Sequence, residues 1–244
     1  MGEKWIYTDI HAHIIPGVDD GSSSMEESLE MAELAYQEGV RAIIATPHYG
    51  RRNPEYNTNR TVALAMELRE KIKKNHPDLS LFLGNELYYS PGIIEEVNSR
   101  KAFTLGSTNY ALVEFDVLAE YPELKRCIRE FVMEGYRPIL AHTERYRCLF
   151  HDISRVKELI EQGAYIQVNT RGFIQKKREE RSLWCWELLE TGLIHFIASD
   201  CHNMRERKPI MKTAIREMVK LAGEEAVKEI VYANIFKLLK NEYI

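Results

Sequence analysis

The chain has 244 residues, 45% of them hydrophobic, enough for one sizeable core, and α/β barrels of this length are routinely single domains. Its formal net charge of −4 argues against general nucleic-acid binding, which calls for a basic stripe, and leaves room only for a local basic pocket. Four scattered cysteines, Cys127, Cys148, Cys185 and Cys201, show no zinc-finger or C-x-x-C spacing and read as reduced thiols of a cytosolic protein.

The opening MGEKWIYTD lacks the apolar stretch of a signal peptide, and no run approaches a membrane span. The expectation is therefore a cytoplasmic protein without membrane insertion. Short β-branched or aromatic runs follow in order: WIYTDI (5–10), VRAIIAT (40–46), LSLFLG (79–84), YALVEF (110–115), RPILA (137–141), AYIQVN (164–169) and LIHFIAS (193–199). Between them lie amphipathic segments at 25–39, 59–75, 124–135, 153–163 and 179–192, several stopped by glycine. Helix-like stretches at 208–223 and 224–240 close the chain, and Asp152 or Ser154 is placed to cap the helix after residue 152. This βαβα rhythm predicts parallel strands in one α/β domain spanning 1–244. Seven strands without a dinucleotide glycine fingerprint favour a closed barrel over a doubly wound sheet. YGRRNPEYN (49–57) is the least regular stretch, a surface loop beside the strand ends.

The strands end in ligand-type residues. His11 and His13 leave the first, with Asp19 and Asp20 just beyond. His48 leaves the second, Glu86 the third, Glu114 the fourth and His142 the fifth, while Asp200 and His202 follow the seventh. In a parallel barrel all strand C-termini meet on one face, where active sites form. One such residue is a weak sign of a metal; the recurrence across strands is a strong one. So many carboxylates and imidazoles around one cavity need cations to neutralise them. Nitrogen and oxygen donors without clustered thiolates suit zinc, manganese or iron, and the number of donors suits two or three ions, the arrangement that clamps a phosphate for in-line attack. His76, His151 and His195 lie outside the pattern.

HAH, TPH, GNE, VEF, AHTER and SDCH, in this order, resemble the PHP (polymerase and histidinol phosphatase) superfamily. HIIPGVDDG, GNELYY, ALVEF and AHTERY are similar to the bacterial PHP-type protein-tyrosine phosphatases of capsule and exopolysaccharide loci, over about residues 5–240. The resemblance implies a distorted (β/α)₇ TIM-like barrel with a trinuclear metal site, manganese favoured. It implies one ion on His11, His13, Glu86 and Asp200, a second sharing Glu86 with Glu114 and His142, and a third on Asp20, His48 and His202. Asp19 has no ligand role in the pattern, and Gly21 lets the chain turn back. Arg145 and Arg207 match arginines that bind phosphate, whose planar forks suit that anion. The implied activity is hydrolysis of phosphotyrosine on a protein substrate, the tyrosine-rich tail of a bacterial tyrosine kinase. A histidinol-phosphatase-like or nucleotide phosphoesterase is the alternative on the same scaffold; a non-catalytic binder fits poorly. NTRGF departs from the small residues expected after the sixth strand, so Arg171 either widens the positive rim or points outward. Tyr88, Tyr89, Tyr110 and Tyr146 stand near the mouth as candidates to stack on the substrate ring, with Tyr110 better suited to packing.

Cys201 to Arg207 also fits C-x₅-R, the loop of cysteine-dependent tyrosine phosphatases. That loop wraps backbone amides around phosphate and needs glycine for close approach; HNMRE has none. Side-chain alternation between Asp200 and His202 predicts that Cys201 points away from the ligands.

Overall fold

The computed structural model describes residues 6–174 and 179–244; Trp5 of the first predicted strand lies outside them. Nine parallel strands are present among the described residues: β1 (Tyr7–Ala12), β2 (Val40–Ala45), β3 (His48–Tyr49), β4 (Ser80–Leu83), β5 (Glu86–Tyr88), β6 (Tyr110–Glu114), β7 (Arg137–Leu140), β8 (Tyr165–Asn169) and β9 (Phe196–Ala198). They pair as β1-β2-β4 and β3-β5-β6-β7-β8-β9. Two of the seven predicted strands, 40–46 and 79–84, are each followed by a short further strand beyond the predicted run, β3 and β5. Thr46 and Pro47 separate β2 from β3, and Gly84 and Asn85 separate β4 from β5. Proline has no amide to continue a ladder, but its carbonyl accepts from the Glu86 amide at 3.2 Å and the Asn85 side chain at 2.9 Å. The seam is therefore bonded rather than open. The ring closes where the Asp200 amide donates to His11 O (2.9 Å) and the His13 amide donates to Cys201 O (2.8 Å). The result is the distorted seven-position barrel expected from the sequence.

The helices cover the outside: α1 (Met25–Gln37), α2 (Thr58–Asn75), α3 (Ile93–Asn98), α4 (Tyr121–Met133), α5 (Ile153–Glu161), α6 (Arg171–Ile174), α7 (Glu180–Glu190) and α8 (Lys212–Ala222). On α4 the buried residues Leu124, Cys127, Ile128 and Phe131 follow helical spacing. Asp152, not Ser154, caps α5, its carboxylate accepting from the Arg155 amide at 3.1 Å. Five of these helices end at glycines with positive φ, Gly39, Gly135, Gly163, Gly192 and Gly223, a conformation that a side chain disfavours. Two departures concern short or interrupted helices. The single turn and a half of α3 is too brief to show a period. The expected helix over 224–240 is divided into α9 (Glu224–Lys228), a π-helical turn (Glu229–Ala233) and α10 (Asn234–Leu239). The buried Asn234 side chain donates to His195 O at 3.0 Å, tying this widened turn to the last strand.

The filling of the barrel sets the depth of the site. Tyr110, Leu112 and Glu114 alternate on β6, so they share one face. A buried cluster of Ile10, Ile44, Tyr110, Leu112, Ile139, Tyr165 and Phe196 occupies the lower barrel, and the polar residues stand above it. A larger apolar layer packs the strands against the helices.

Candidate metal centre

All nine predicted ligands converge at the C-terminal mouth. His11, His13, Glu86, Glu114, His142, Asp200 and His202 are buried, His48 is partly buried, and Asp20 alone is largely exposed. Among the described residues, three sets have donor atoms close enough to share an ion: His11, His13 and Asp200; His48, Glu86 and Glu114; and His13, Asp20, His48 and His202.

The spacing of the donors tests the fit. A tetrahedral site with metal–ligand distances near 2.1 Å separates its ligands by about 3.4 Å. His11 Nε2 lies 3.2 Å from His13 Nε2, 3.3 Å from Glu86 Oε1 and 3.5 Å from Asp200 Oδ1. His13 Nε2 lies 3.2 Å from Glu86 Oε2 and 3.6 Å from Asp200 Oδ1. Asp20 Oδ1 stands 3.3 Å from His48 Nε2 and 3.4 Å from His202 Nε2. Glu86 Oε2, Glu114 Oε2, His48 Nδ1, His142 Nδ1 and His202 Nε2 are buried without a hydrogen bond, although His48 Nδ1 and Glu86 Oε2 are only 2.9 Å apart. Close donors that do not point at one another are aimed at a common third point. Buried polar atoms are rarely left unpaired, so these residues fit divalent ions.

The sets differ from the expected partition: Glu86 is absent from the set of His11, His13 and Asp200, His142 joins none of the three, and His48 spans two. Its Nε2 joins Asp20 and His202 as expected, but its Nδ1 turns to Glu86 and Glu114. His13 likewise borders two sets. His142 meets the same carboxylates from the other side, with Nε2 2.7 Å from Glu86 Oε1 and 3.6 Å from Glu114 Oε1. Glu86 is thus the hub, each oxygen facing two histidines.

Protonation follows from this crowding. Burial works against charge on His13, yet the Asp19 carboxylate lifts its pKa to about 9. His48 is also opposed by burial, and Glu86 with Asp20 pushes it up to about 11. Burial and the neighbouring Glu86 raise Glu114 to about 7, whereas burial and the Arg145 charge lower His142 to about 4. Because ions displace the imidazole protons, metal affinity rises with pH.

Several residues that hold the ligands in place carried no signal as ligands. Asp19 Oδ2 accepts from His13 Nδ1 at 2.7 Å and from the His48 amide at 2.9 Å, and its Oδ1 accepts from the Gly21 amide at 3.0 Å. It fixes which nitrogen of His13 faces the centre. Gly21 is required by contact: a Cβ there would stand 2.2 Å from His13 O. Gln167 Oε1 accepts from the His142 amide at 2.8 Å and lies 3.2 Å from His11 Nδ1. Asn169 Nδ2 donates to Asp200 Oδ2 at 2.8 Å. The Asp9 carboxylate accepts from the Ser199 amide and hydroxyl, pinning the first strand to the last. His142 and Asp200 have φ of 34° and 51°, strain that side-chained residues carry at a cost of about 1–3 kcal/mol and that clusters at functional sites. Removing an orienting carboxylate behind a metal-binding histidine costs about 10–100-fold in affinity. Asp19→Asn is therefore expected to weaken metal binding by that factor while the fold's melting transition stays cooperative. Unchanged affinity in a metal titration would count against this role.

Arg145 and Arg207 both reach the mouth and share one partner: Arg145 Nη2 donates to Asp200 Oδ2 at 2.6 Å and Arg207 Nη2 to Asp200 Oδ1 at 2.7 Å. Arg171 is exposed and donates to Glu206 O at 3.3 Å, against the loop of Arg207. Among the four tyrosines, Tyr89, Tyr110 and Tyr146 are buried, which corrects the stacking role for Tyr89 and Tyr146. Their hydroxyls are occupied by Glu130, Glu242 O and the Phe115 amide. Tyr88 alone stays partly open.

The C-x₅-R segment is no phosphate loop. The amides of Arg205, Glu206 and Arg207 all donate to Asn203 Oδ1, and those of His202 and Asn203 donate to Arg207 O. No amide among these five is left to wrap an anion. Cys201 is buried in the outer apolar layer, and burial pushes its thiol pKa well up. His76, His151 and His195 sit apart, paired with Glu33, Glu187 and the Ile166 amide.

A parallel barrel with histidines and carboxylates ringed at its C-terminal mouth defines a metal-dependent hydrolase of the PHP type. Residues 7–240 match the model of the capsular polysaccharide synthesis family CpsB/CapC, and the chain belongs to that family. It is 32% identical over 246 residues to the tyrosine-protein phosphatase CpsB of Streptococcus agalactiae serotype V, covering 97% of this chain and 99% of the relative. To the tyrosine-protein phosphatase YwqE of Bacillus subtilis it is 32% identical over 241 residues, covering 97% and 92%. A crystal structure from work on YwqE and the Streptococcus pneumoniae CpsB, described as metal-dependent tyrosine phosphatases, superposes with a TM-score of 0.89 at 30% identity over 97% of this chain and 96% of that one. A TatD-family hydrolase of Entamoeba histolytica shares the fold alone, at 13% identity, with a TM-score of 0.57 over 95% of this chain and 97% of that one.

Proposed function

We propose that this chain is a metal-dependent protein-tyrosine phosphatase of capsule or exopolysaccharide synthesis. The observation that carries the reading is the ring of donors spaced about one metal-site edge apart, with five buried atoms left without hydrogen bonds. His11, His13, Asp20, His48, Glu86, Glu114, His142, Asp200 and His202 hold three divalent ions, manganese in the favoured case, with iron and zinc as alternatives. Bound there, the ions supply Lewis-acid polarisation of the phosphoryl oxygens and activation of water. The chain's own part is orientation and charge. Glu86 fixes the spacing of the ligand sets, Asp19 and Gln167 set the rings of His13 and His11, and Arg145 and Arg207 balance charge on the phosphoryl group at the rim. The leaving phenolate, with a pKa of about 10, departs without a strong acid behind it.

The substrate is a phosphotyrosine protein, the tail of a bacterial tyrosine kinase that controls polysaccharide export. The names of the relatives support the phosphotyrosine-protein part of this reading, and an arginine-bearing mouth on a chain of net charge −4 fits an anionic group there. The single domain acts in the cytoplasm, in keeping with four unpaired cysteines and, among the described residues, no helix long and apolar enough to cross a membrane. Kinetics of the Mn²⁺-loaded protein on a phosphotyrosine peptide and on histidinol phosphate, in parallel, test the reading. A higher kcat/KM on the peptide, abolished by chelation, is expected; preference for histidinol phosphate would replace it with the alternative phosphoesterase.

A further inference from the structure

The turn within residues 49–57 carries two arginines, and the mechanism above uses neither. The Asn53 amide donates to Gly50 O at 2.9 Å, so Arg51 and Arg52 occupy the tip of a tight turn. The Asn53 side chain donates to Val18 O at 2.8 Å and to His48 O at 3.3 Å, fastening the turn to the loop of Asp19 and Asp20 and to β3. From that anchored tip Arg52 leans into the mouth. Its Nη2 stands 3.4 Å from Glu114 Oε1, and the side chain is 45% exposed. Its Cζ lies 5.5 Å from the centre of the Tyr88 ring. Tyr88 is two residues beyond Glu86 on β5, so both side chains leave the strand on one face. A planar cation and a partly open aromatic ring therefore flank the way out from the ligand ring.

We infer that Arg52 and Tyr88 form the subsite for the aromatic ring of an aryl phosphate, and so select phosphotyrosine over alkyl phosphates such as phosphoserine. This rests on the phosphatase reading above. With phosphate held over the ligands, the ester oxygen points outward, and the group attached to it meets this pair. A flat ring gains by packing beside this pair, against the Tyr88 ring and the Arg52 guanidinium. An alkyl group has no face to offer and gains little. The ion pair to Glu114 would by itself make Arg52 only a support for that ligand, and the test separates the two roles.

Calorimetric titration of the Mn²⁺-loaded protein with phenylphosphonate and methylphosphonate compares an aryl with an alkyl anion, neither of which is a hydrolysable ester. The wild type is expected to bind phenylphosphonate about tenfold more tightly or better. Arg52→Ala and Tyr88→Ala each remove most of that preference, while methylphosphonate affinity stays within about twofold and metal content is unchanged. Arg52→Lys restores less than the native preference, because a point charge lacks the stacking plane. Absence of an aryl preference in the wild type, an equal loss for both phosphonates, or loss of metal in Arg52→Ala would overturn the subsite. A wild type that leaves phosphotyrosine peptides intact would instead defeat the phosphatase reading, and the phosphonate ratio would still report on the subsite.

Discussion

Glu86→Gln is expected to lower turnover of p-nitrophenyl phosphate by about 10³-fold or more, since metal ions supply several kcal/mol of transition-state stabilisation and each 1.36 kcal/mol is a factor of ten. The change is nearly isosteric, so packing is preserved. What is lost is a negative charge placed between four imidazoles, with Oε1 near His11 and His142 and Oε2 near His13 and His48. An amide nitrogen in place of one oxygen also directs N–H donors at donors. Because Glu86 belongs to the set with His48 and Glu114 and also stands 3.3 Å from His11 and 3.2 Å from His13 of a second set, its loss should disturb more than one position, which metal analysis per chain would register as well as kinetics. Asp20→Asn makes the contrast: that carboxylate is largely exposed and belongs to one set, so a smaller loss of metal is expected. Near-native turnover and full metal content in Glu86→Gln would refute the hub role.

The convergence of these nine donors was legible in the sequence because strand ends are marked by the step from an apolar run to a single polar residue, as in ALVEF and ILAH. What orients them was less legible, for a physical reason. Asp19, Gln167 and Asn169 act through the atoms they leave to others, and a residue type alone does not say which way a histidine is turned. A usable sign did exist on β8, where Gln167 and Asn169 alternate with Ile166 and Val168 in a strand buried on both faces. A buried polar residue on the barrel-facing side, just below the strand end, needs a partner, and the nearest partners are the ligands. The short strands β3 and β5 lie past the runs 40–46 and 79–84, and two or three residues are too few to show a period of two. Only the pairing shows that the ladder changes partner there. The tyrosines misled in the opposite sense: Tyr89 and Tyr146 are close to site residues in sequence, but their rings turn into the core.

Arg145→Ala, Arg207→Ala and Cys201→Ser together separate two ways of breaking a tyrosine phosphate ester. If charge on the phosphoryl group is balanced by the rim arginines, each arginine-to-alanine change should cost about 10²–10³-fold in kcat, the usual loss for one preorganised donor at developing charge. Metal should be retained in Arg145→Ala, because Asp200 Oδ2 keeps the Asn169 side-chain amide as a donor at 2.8 Å. Arg145→Lys should recover little, since an ammonium cannot donate as a planar fork. Cys201→Ser should stay within a few-fold of the wild type and remain sensitive to chelation. Its side chain lies among apolar residues, its thiol is held protonated by burial, and the amides of the following turn are spent on Asn203 and Arg207. A nucleophilic cysteine needs a lowered pKa and an accessible face, and Cys201 has neither. Trapping of a phosphocysteine in the wild type, with Cys201→Ser inactive despite full metal content, would reverse the assignment and make Arg207 the phosphate binder of a metal-free mechanism.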